Sequence, residues 1–349
     1  MSKTIRPIYE EYKQLGIDQQ IDYAKFYLYS IITHSTAIEG STVTEVENRL
    51  LFDEGIGAQK PLIEQMMNLD LKAAYEQGLV YARQHTDYSV DLLCGLSALV
   101  MKNTGSEYSA MAGNFSAAKG ELRLLNVSAG IGGRSYLSYQ KVPSRTEAFC
   151  QWLNEERKLI NPKEIEKVYD LSFEAHYRLV EIHPWADGNG RMSRLVMNMI
   201  QYEFGVVPSI VKKEKRKQYI TSLEQSEEAE CSDKFKAFML DHHCENLSNQ
   251  IVEYRKSMED EPIASSQKSS QKSSQKIVEL IKENAGEASS QWLLAIAKRR
   301  TAPLRCRGCH GSPPPIRIRR LPLSLLYLIR RIKYTFACVC KIVKRSRPE

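Results

Sequence analysis

The stretch His183-Pro184-Trp185-Ala186-Asp187-Gly188-Asn189-Gly190-Arg191-Met192-Ser193-Arg194 carries most of the chemical information in this sequence. It combines an imidazole, a carboxylate, a Gly-Asn-Gly turn and two guanidinium groups. Such groups suit a site that holds a nucleoside triphosphate and removes a proton from an attacking hydroxyl. We therefore interpret residues 183–194 as an active-site loop.

Apolar periodicity on both sides places this loop between two helices. Upstream, apolar residues recur every three or four positions over residues 165–182, and Pro184 cannot continue that helix. The proline also biases His183 toward an extended backbone. Downstream, residues 192–200 carry one apolar helical face, and Gly205 is the expected stop. The loop is therefore predicted to open on a helix N-terminus, which attracts anions.

The residues at this N-terminus have the properties of a phosphate cradle. Gly188 and Gly190 permit a tight backbone with positive φ angles. On the helical wheel Arg191, Arg194 and Asn198 lie beside the apolar stripe and not within it. Both guanidinium groups are therefore expected to face the pocket and grip phosphate oxygens.

The two remaining polar residues supply the other expected roles. Asp187 is a hard oxygen ligand suited to Mg2+, and His183 has the side chain of a general base. Taken singly, a histidine after a helix is usually a cap or a core residue, and arginines three positions apart are usually solvated. Seven chemically apt positions within twelve residues favour the functional interpretation.

The loop resembles the signature of the Fic family, His-Pro-Phe-x-Asp/Glu-Gly-Asn-Gly-Arg-x-x-Arg, with Trp185 where phenylalanine is usual. Members of this family are mostly adenylyltransferases, which move AMP from ATP to a protein hydroxyl. The resemblance implies that His183 is the base and that Asp187 binds Mg2+. It also implies that Gly188, Asn189 and Gly190 form the anion hole and that Arg191 and Arg194 hold phosphates. The aromatic ring at position 185 is expected to pack beneath the loop.

A second resemblance concerns residues 35–40, Ser-Thr-Ala-Ile-Glu-Gly. They are similar to the family's inhibitory motif, Ser/Thr-x-x-x-Glu-Gly/Asn, in which the glutamate pairs with the last arginine of the signature. The resemblance implies regulatory roles for Ser35 and Glu39, with Glu39 occupying Arg194 and excluding a γ-phosphate. The same residues also fit the end of a helix that begins near Tyr23, and the two interpretations are compatible.

Residues 120–143 are rich in Val, Gly, Ser and Tyr and have no helical period. They are interpreted as a β-hairpin, with a connecting loop as the alternative. The segment resembles the Fic flap, whose backbone pairs with the target as an added strand. The resemblance implies ligand contacts in the flap and one aromatic contact near the adenine: Ala129, Gly130, Ile131, Gly132 and Tyr219.

The predicted fold is a mainly helical Fic fold with a small β-hairpin flap. We predict an N-terminal helical region with the inhibitory motif (1–110) and a catalytic core (111–255) whose last helix starts near Ser232. A linker rich in Ser, Gln and Lys (256–276) follows. Residues 277–349 are interpreted as the remnant of a winged-helix-like module followed by a basic, disordered tail.

The formal net charge of +7 comes from the C-terminal part. Residues 298–349 contain 15 Lys and Arg against one acidic residue, whereas residues 1–297 contain 34 against 41. The charge therefore gives no reason to expect nucleic-acid binding by the catalytic part. Eight scattered cysteines and the lack of a signal-peptide pattern or a long apolar run predict a cytoplasmic protein without membrane contact.

Three hypotheses about function follow. The leading one is an autoinhibited protein adenylyltransferase that uses Mg2+ and ATP to modify a Tyr, Ser or Thr hydroxyl of a target protein or of itself. A second keeps the site but changes the reaction, to AMP removal or transfer of another phosphate-bearing group. The third is a nucleotide-sensing regulator that binds DNA, which requires a folded C-terminal module. The sequence is also compatible with a homodimer.

Overall fold

The computed structural model describes residues 4–129 and 135–259. This part of the chain is mainly helical and contains one two-stranded antiparallel sheet, as predicted. The elements are α1 Ile5–Gln14, α2 Tyr23–Ile38, α3 Glu45–Glu54, α4 Leu62–Arg83, α5 Val90–Val100, β1 Glu107–Ala110, β2 Gly113–Ser116, α6 Val142–Leu159, α7 Ile165–Ile182, α8 Asn189–Glu203, α9 Arg216–Glu228 and α10 Asp233–Glu259.

Helix α8 lies at the centre and packs against α4, α5 and α7. Every residue from 191 to 200 is buried, so the polar face of α8 is covered as well as its apolar face. Asn198 illustrates the result: its Oδ1 accepts from the Tyr75 hydroxyl at 2.7 Å, and its Nδ2 donates to the Ser209 carbonyl at 3.0 Å. Arg191, Arg194 and Asn198 therefore lie inside the protein, not on a flank open to solvent.

The two helices around the loop have the predicted limits, but the backbone of His183 differs from the prediction. Helix α7 ends at Ile182, and α8 begins after Gly188 and ends just before Gly205, which has a φ of +68°. His183 has a φ of 51° and caps α7 in the left-handed region. Its N–H donates to the Leu179 carbonyl at 3.1 Å, and this capping bond outweighs the extended bias that Pro184 imposes.

The two-stranded sheet lies before the segment predicted as a hairpin. Strands β1 and β2 pair over residues 107–116, where the rings of Tyr108 and Phe115 stack with centroids 4.9 Å apart. The described part of residues 120–143 forms one antiparallel bridge, between Ser128 and Ser135. The end of that segment is helical, because Pro143 favours the first turn of α6.

The described residues belong to one unit of the chain. Residue 110, after which a boundary is expected from the sequence, is the last residue of β1, and the division into an N-terminal region and a catalytic core stays a prediction. Helix α10 begins after Ser232, as expected, and continues to Glu259. Gly130, Ile131, Gly132, most of the predicted linker and residues 277–349 lie outside the described residues. No helix in the described ranges is long and apolar enough to span a membrane.

Candidate active site

The His183 imidazole is held on two sides. Its Nδ1 lies 3.3 Å from the Val180 carbonyl, and its ring stacks on Tyr136 with centroids 3.7 Å apart and planes 19° apart. Burial lowers the pKa of His183 to about 4, so the ring is neutral near pH 7. A neutral ring that donates from Nδ1 to the carbonyl has Nε2 as its proton acceptor.

The start of the loop lies on residues 120–123. Trp185 is fully buried, as expected, and its Nε1 donates to the Gly120 carbonyl at 3.0 Å. The Arg123 N–H donates to the Pro184 carbonyl at 3.0 Å, and the Arg123 Nε donates to the His183 carbonyl at 2.7 Å. Three successive loop residues are thus fixed by one short segment.

The side chain of Asn189 holds the loop closed. Its Nδ2 donates to the Trp185 carbonyl at 2.8 Å, and its Oδ1 accepts from the Trp185 N–H at 3.1 Å. Both ends of the amide are therefore used within the loop. Asn189 can contribute its main-chain N–H, as the first residue of α8, to an anion site.

Asp187 stands at the exposed edge of the same turn. Its side chain is 59% exposed, its Oδ1 accepts from the Gly188 N–H at 2.6 Å, and this oxygen lies 3.6 Å from Arg191 Nη2. An exposed carboxylate beside a helix N-terminus fits Mg2+, which is bound in proteins through one or two carboxylates together with phosphates and water.

The two glycines of the loop are required for different reasons. Gly188 has a φ of +83°, and a Cβ there would lie 2.7 Å from the Met101 sulfur. Gly190 is the second residue of α8 and has no positive φ, contrary to the prediction. A Cβ on Gly190 would instead lie 2.6 Å from Glu39 Oε1 and 3.1 Å from Arg194 Nη1. Its role is to leave room for this ion pair.

Arg191 lies between the end of α5 and Asp187. Its Nη1 is 3.4 Å from the Val100 carbonyl, and its Nη2 is 3.1 Å from the Met101 sulfur. The carbonyl contact is long and the thioether sulfur is a weak acceptor, and within the described residues Nε has no hydrogen-bond partner. Burial lowers the pKa of Arg191. The hydrogen-bonding capacity of the Arg191 guanidinium is thus incompletely used, which fits a group that can bind an anion.

Arg194, Ser35, Glu39 and Tyr219 meet in one cluster. Arg194 Nε donates to Ser35 Oγ at 2.9 Å, and Nη2 donates to the Ser35 carbonyl at 3.0 Å and to Glu39 Oε1 at 2.6 Å. Nη1 lies 3.4 Å from the Tyr219 hydroxyl. The pair of Glu39 and Arg194, expected from the family resemblance, is therefore present.

Glu39 is the C-terminal cap of α2, and its side chain is 34% exposed. Burial alone would raise the pKa of the Glu39 carboxyl, but the charge of Arg194 and the hydrogen bond to it bring the pKa below its usual value. The carboxylate is therefore ionised at neutral pH.

The turn that carries Glu39 is fixed from below by Asn68 of α4. Asn68 Oδ1 accepts from Thr36 Oγ1 at 2.8 Å, and its Nδ2 donates to Ser41 Oγ at 3.1 Å. Asn48 Nδ2 also donates to Asn68 Oδ1, at 2.9 Å. One buried amide thus bridges the residues before and after Glu39.

Tyr219 lies against Arg194 and has little surface left for a ligand. It is 2% exposed, and its hydroxyl lies 2.9 Å from His176 Nε2. The side chain supports the arginine in this arrangement. Ala129 is exposed at the limit of the described flap.

Sequence reasoning missed three residues of this site: Arg123, Tyr136 and Asn68. Tyr136 lies in a segment rich in Val, Gly, Ser and Tyr that also contains Tyr139, so nothing in the composition singles it out. Arg123 and Asn68 bond to main chain or to small polar side chains, so no pattern of complementary residues marks them. An open cleft of about 770 Å3 borders the flap at residues 135–137.

Residues 87–201 match the sequence model of the Fic/DOC family. The match covers about a third of the chain and includes the loop of residues 183–194. Protein adenylyltransferase fic-1 of Caenorhabditis elegans is 27% identical over 202 residues, which cover 57% of this chain and 36% of that protein. Protein adenylyltransferase Fic of Drosophila melanogaster is 26% identical over 211 residues, covering 57% and 37%. The chain thus spans less than half the length of these curated relatives.

Solved structures of Fic proteins share the fold of this chain. A Fic-domain signalling protein from Bacteroides thetaiotaomicron superimposes with a TM-score of 0.59 at 19% identity, covering 74% of this chain and 99% of that one. A structure of Fic-1 from Caenorhabditis elegans gives 0.53 at 23% identity, covering 71% and 70%. These similarities show the fold of the Fic domain together with the helices around it.

Proposed function

We propose that this chain is a protein adenylyltransferase that uses Mg2+ and ATP, transfers AMP to a Tyr, Ser or Thr hydroxyl of a target protein or of itself, and is restrained by Glu39. The observation that carries the proposal is the neutral His183 imidazole beside the N-terminus of α8. A base and an anion site on one loop suit attack by a hydroxyl on a phosphate. The names of the curated relatives support the same activity.

The transfer itself needs one base and one leaving group. The target oxygen attacks the α-phosphorus of ATP and gives its proton to His183 Nε2, while the bond from the α-phosphorus to the bridging oxygen breaks. Pyrophosphate leaves, and the target carries AMP. The negative charge of bound ATP would raise the pKa of His183 from about 4 and make it a better proton acceptor.

The residues of the α8 N-terminus would hold the triphosphate. Main-chain N–H groups of residues 189–190 and the incompletely bonded Arg191 are available to phosphate oxygens. Asp187 would hold Mg2+, which when bound neutralises charge on the phosphates. Arg194 would bind the outermost phosphate once Glu39 is displaced.

Autoinhibition is supported by the contact between Glu39 and Arg194. An ionised carboxylate 2.6 Å from Nη2 uses the donor that a γ-phosphate needs and repels the triphosphate. The carboxylate also fills the space left by the missing Cβ of Gly190, so the block is steric as well as electrostatic.

The transferred group can be identified with two labels. The full chain is incubated with Mg2+ and ATP labelled at either the α- or the γ-phosphorus, as wild type and as Glu39→Gly. We expect protein-bound label from α-labelled ATP alone, and more of it with Glu39→Gly. Incorporation from γ-labelled ATP would show phosphoryl transfer instead. Absence of label from both forms of ATP in Glu39→Gly, supplied with a lysate as a source of targets, would contradict the proposal.

A further inference from the structure

Arg123 is a buried arginine that the proposed reaction does not use. It is 1% exposed, and each of its three guanidinium nitrogens donates to a main-chain carbonyl. Nε bonds to His183 at 2.7 Å, Nη1 bonds to Leu125 at 2.8 Å, and Nη2 bonds to Leu137. A buried guanidinium that bonds only to neutral carbonyls stabilises the fold less than a well-packed apolar side chain would. The contacts of Arg123 are therefore better explained by a role in the site than by stability.

The three carbonyls belong to two parts of the site. Leu125 and Leu137 lie on the two sides of the flap base, outside the bridge between Ser128 and Ser135. His183 carries the third carbonyl and is also the proposed base. One guanidinium therefore joins both sides of the flap base to the main chain of the catalytic histidine.

Tyr136 extends this connection to the imidazole ring. It directly precedes Leu137, and its N–H donates to the Val127 carbonyl at 3.0 Å across the flap base. Its ring lies on the His183 ring with centroids 3.7 Å apart. The position of the Tyr136 ring is thus set by the flap base, which Arg123 holds.

We propose that Arg123 is a positioning residue for His183: it fixes the flap base to the catalytic loop, so that Tyr136 stacks on the imidazole and Nε2 keeps one direction. The inference rests on the proposed function, because it takes His183 as the base. Arg123 then controls the rate of transfer although its guanidinium is fully bonded to main chain. ATP affinity depends on other residues and is expected to change little.

The test uses kcat and the ATP Kd of variants made in the Glu39→Gly background. Arg123→Lys keeps the charge, but one ammonium group cannot serve three separated carbonyls with the fork geometry of arginine. We expect kcat to fall about 10²-fold, the effect of a displacement of about 1 Å. Tyr136→Ala should also lower kcat, and Tyr136→Phe should keep most of the activity that Tyr136→Ala loses, because the stacked ring remains.

A double mutant tests whether the two residues act together. Arg123→Lys combined with Tyr136→Ala should be no slower than the slower single variant, since both remove the same positioning. Nitrogen NMR of labelled histidine gives a second readout, because the Nδ1–H tautomer signal of His183 should weaken in Arg123→Lys. If Arg123→Lys does not fold, Arg123→Gln, with two amide donors and no charge, provides the same comparison.

Arg157 is a matched control, because it is also buried and also bonds to a carbonyl, that of Thr86 at 3.3 Å, and to Glu203 at 2.9 Å. Arg157→Lys should lower the melting temperature and leave kcat unchanged. The inference is overturned if Arg123→Lys has the parent kcat and tautomer signal, or if the double variant shows the product of the two single effects. Transfer that survives in His183→Ala would overturn the proposed function instead.

Discussion

Glu39 Oε1 accepts a hydrogen bond of 2.6 Å from Arg194 Nη2, across 155 positions of sequence, in the space that the missing side chain of Gly190 leaves open. The contact joins the end of α2 to the central helix α8. It occupies a guanidinium that lies one helical turn from the anion-binding N-terminus. In the proposed autoinhibition, the restraint would therefore come from a contact built into the fold.

Removing the Glu39 carboxylate should accelerate AMP transfer. Glu39→Gly frees Arg194 and deletes the repulsion of the triphosphate, which is worth about 1–3 kcal/mol, or roughly 5- to 150-fold. Glu39→Gln should activate less, because the amide oxygen still accepts from Arg194. Initial rates of self-modification measure both effects.

Glu166 supplies a control for this experiment, because it also bonds to an arginine, Arg6 Nε at 2.9 Å, away from the loop. Glu166→Gln should leave the rate unchanged. A loss of activity in Glu39→Gly would indicate that Glu39 takes part in the reaction, for example by orienting water for AMP removal.

Asn68→Ala should weaken the restraint without touching the ion pair directly. The amide holds Thr36 and Ser41 on the two sides of Glu39, so its loss lets the turn move. We expect partial activation in the wild-type background and no further activation in Glu39→Gly, because the carboxylate is then absent. Equal activation in both backgrounds would show that Asn68 acts by another route.

Arg194→Met should affect both stability and nucleotide binding. Sequence periodicity placed Arg194 beside the apolar stripe, but the side chain is buried and bonded to Ser35 and Glu39. Leaving these partners unpaired costs about 1–3 kcal/mol. Thermal melting should show the loss, and Arg194→Met with Glu39→Gln should recover part of it. Unchanged ATP affinity in that double variant would contradict a phosphate-binding role.

The titration of His183 should lie well below that of an ordinary histidine. Burial lowers its pKa to about 4, so the neutral base persists as the pH falls through 6.5 and is lost only near pH 4. The folded state therefore gains no proton at His183 where the unfolded chain does, and folding is disfavoured as the pH drops below about 6.5. NMR of the unliganded protein, assigned with His183→Ala, should show no midpoint between pH 6 and 7. A midpoint there would mean that the imidazole is solvated.

The sequence predicted the parts of the site that depend on local pattern. The limits of α7 and α8 agree with the structure, and so does the pairing of Glu39 with Arg194. Periodicity is enough for the helix limits, because they rest on neighbouring residues. The pairing of Glu39 with Arg194 spans 155 positions and was implied by the family resemblance, not by a local pattern.

The parts that the sequence did not predict depend on distant partners. The paired strands occur at residues 107–116 and not within 120–143, because short strands are specified by packing against the rest of the fold. Arg123 reaches carbonyls 2, 14 and 60 positions away, and carbonyls are present at every residue. The burial of Arg194 likewise follows from its contacts with Ser35, Glu39 and Tyr219, which helical periodicity alone does not reveal.

The most direct test of the account compares ATP binding and AMP transfer in one variant, His183→Ala in the Glu39→Gly background. The base removes the proton of the hydroxyl and contributes little to holding the phosphates, so calorimetry should give an ATP Kd close to that of Glu39→Gly. Transfer of α-label should fall by about 10² to 10⁴. Transfer at the parent rate with the same ATP affinity would show that His183 is not the base.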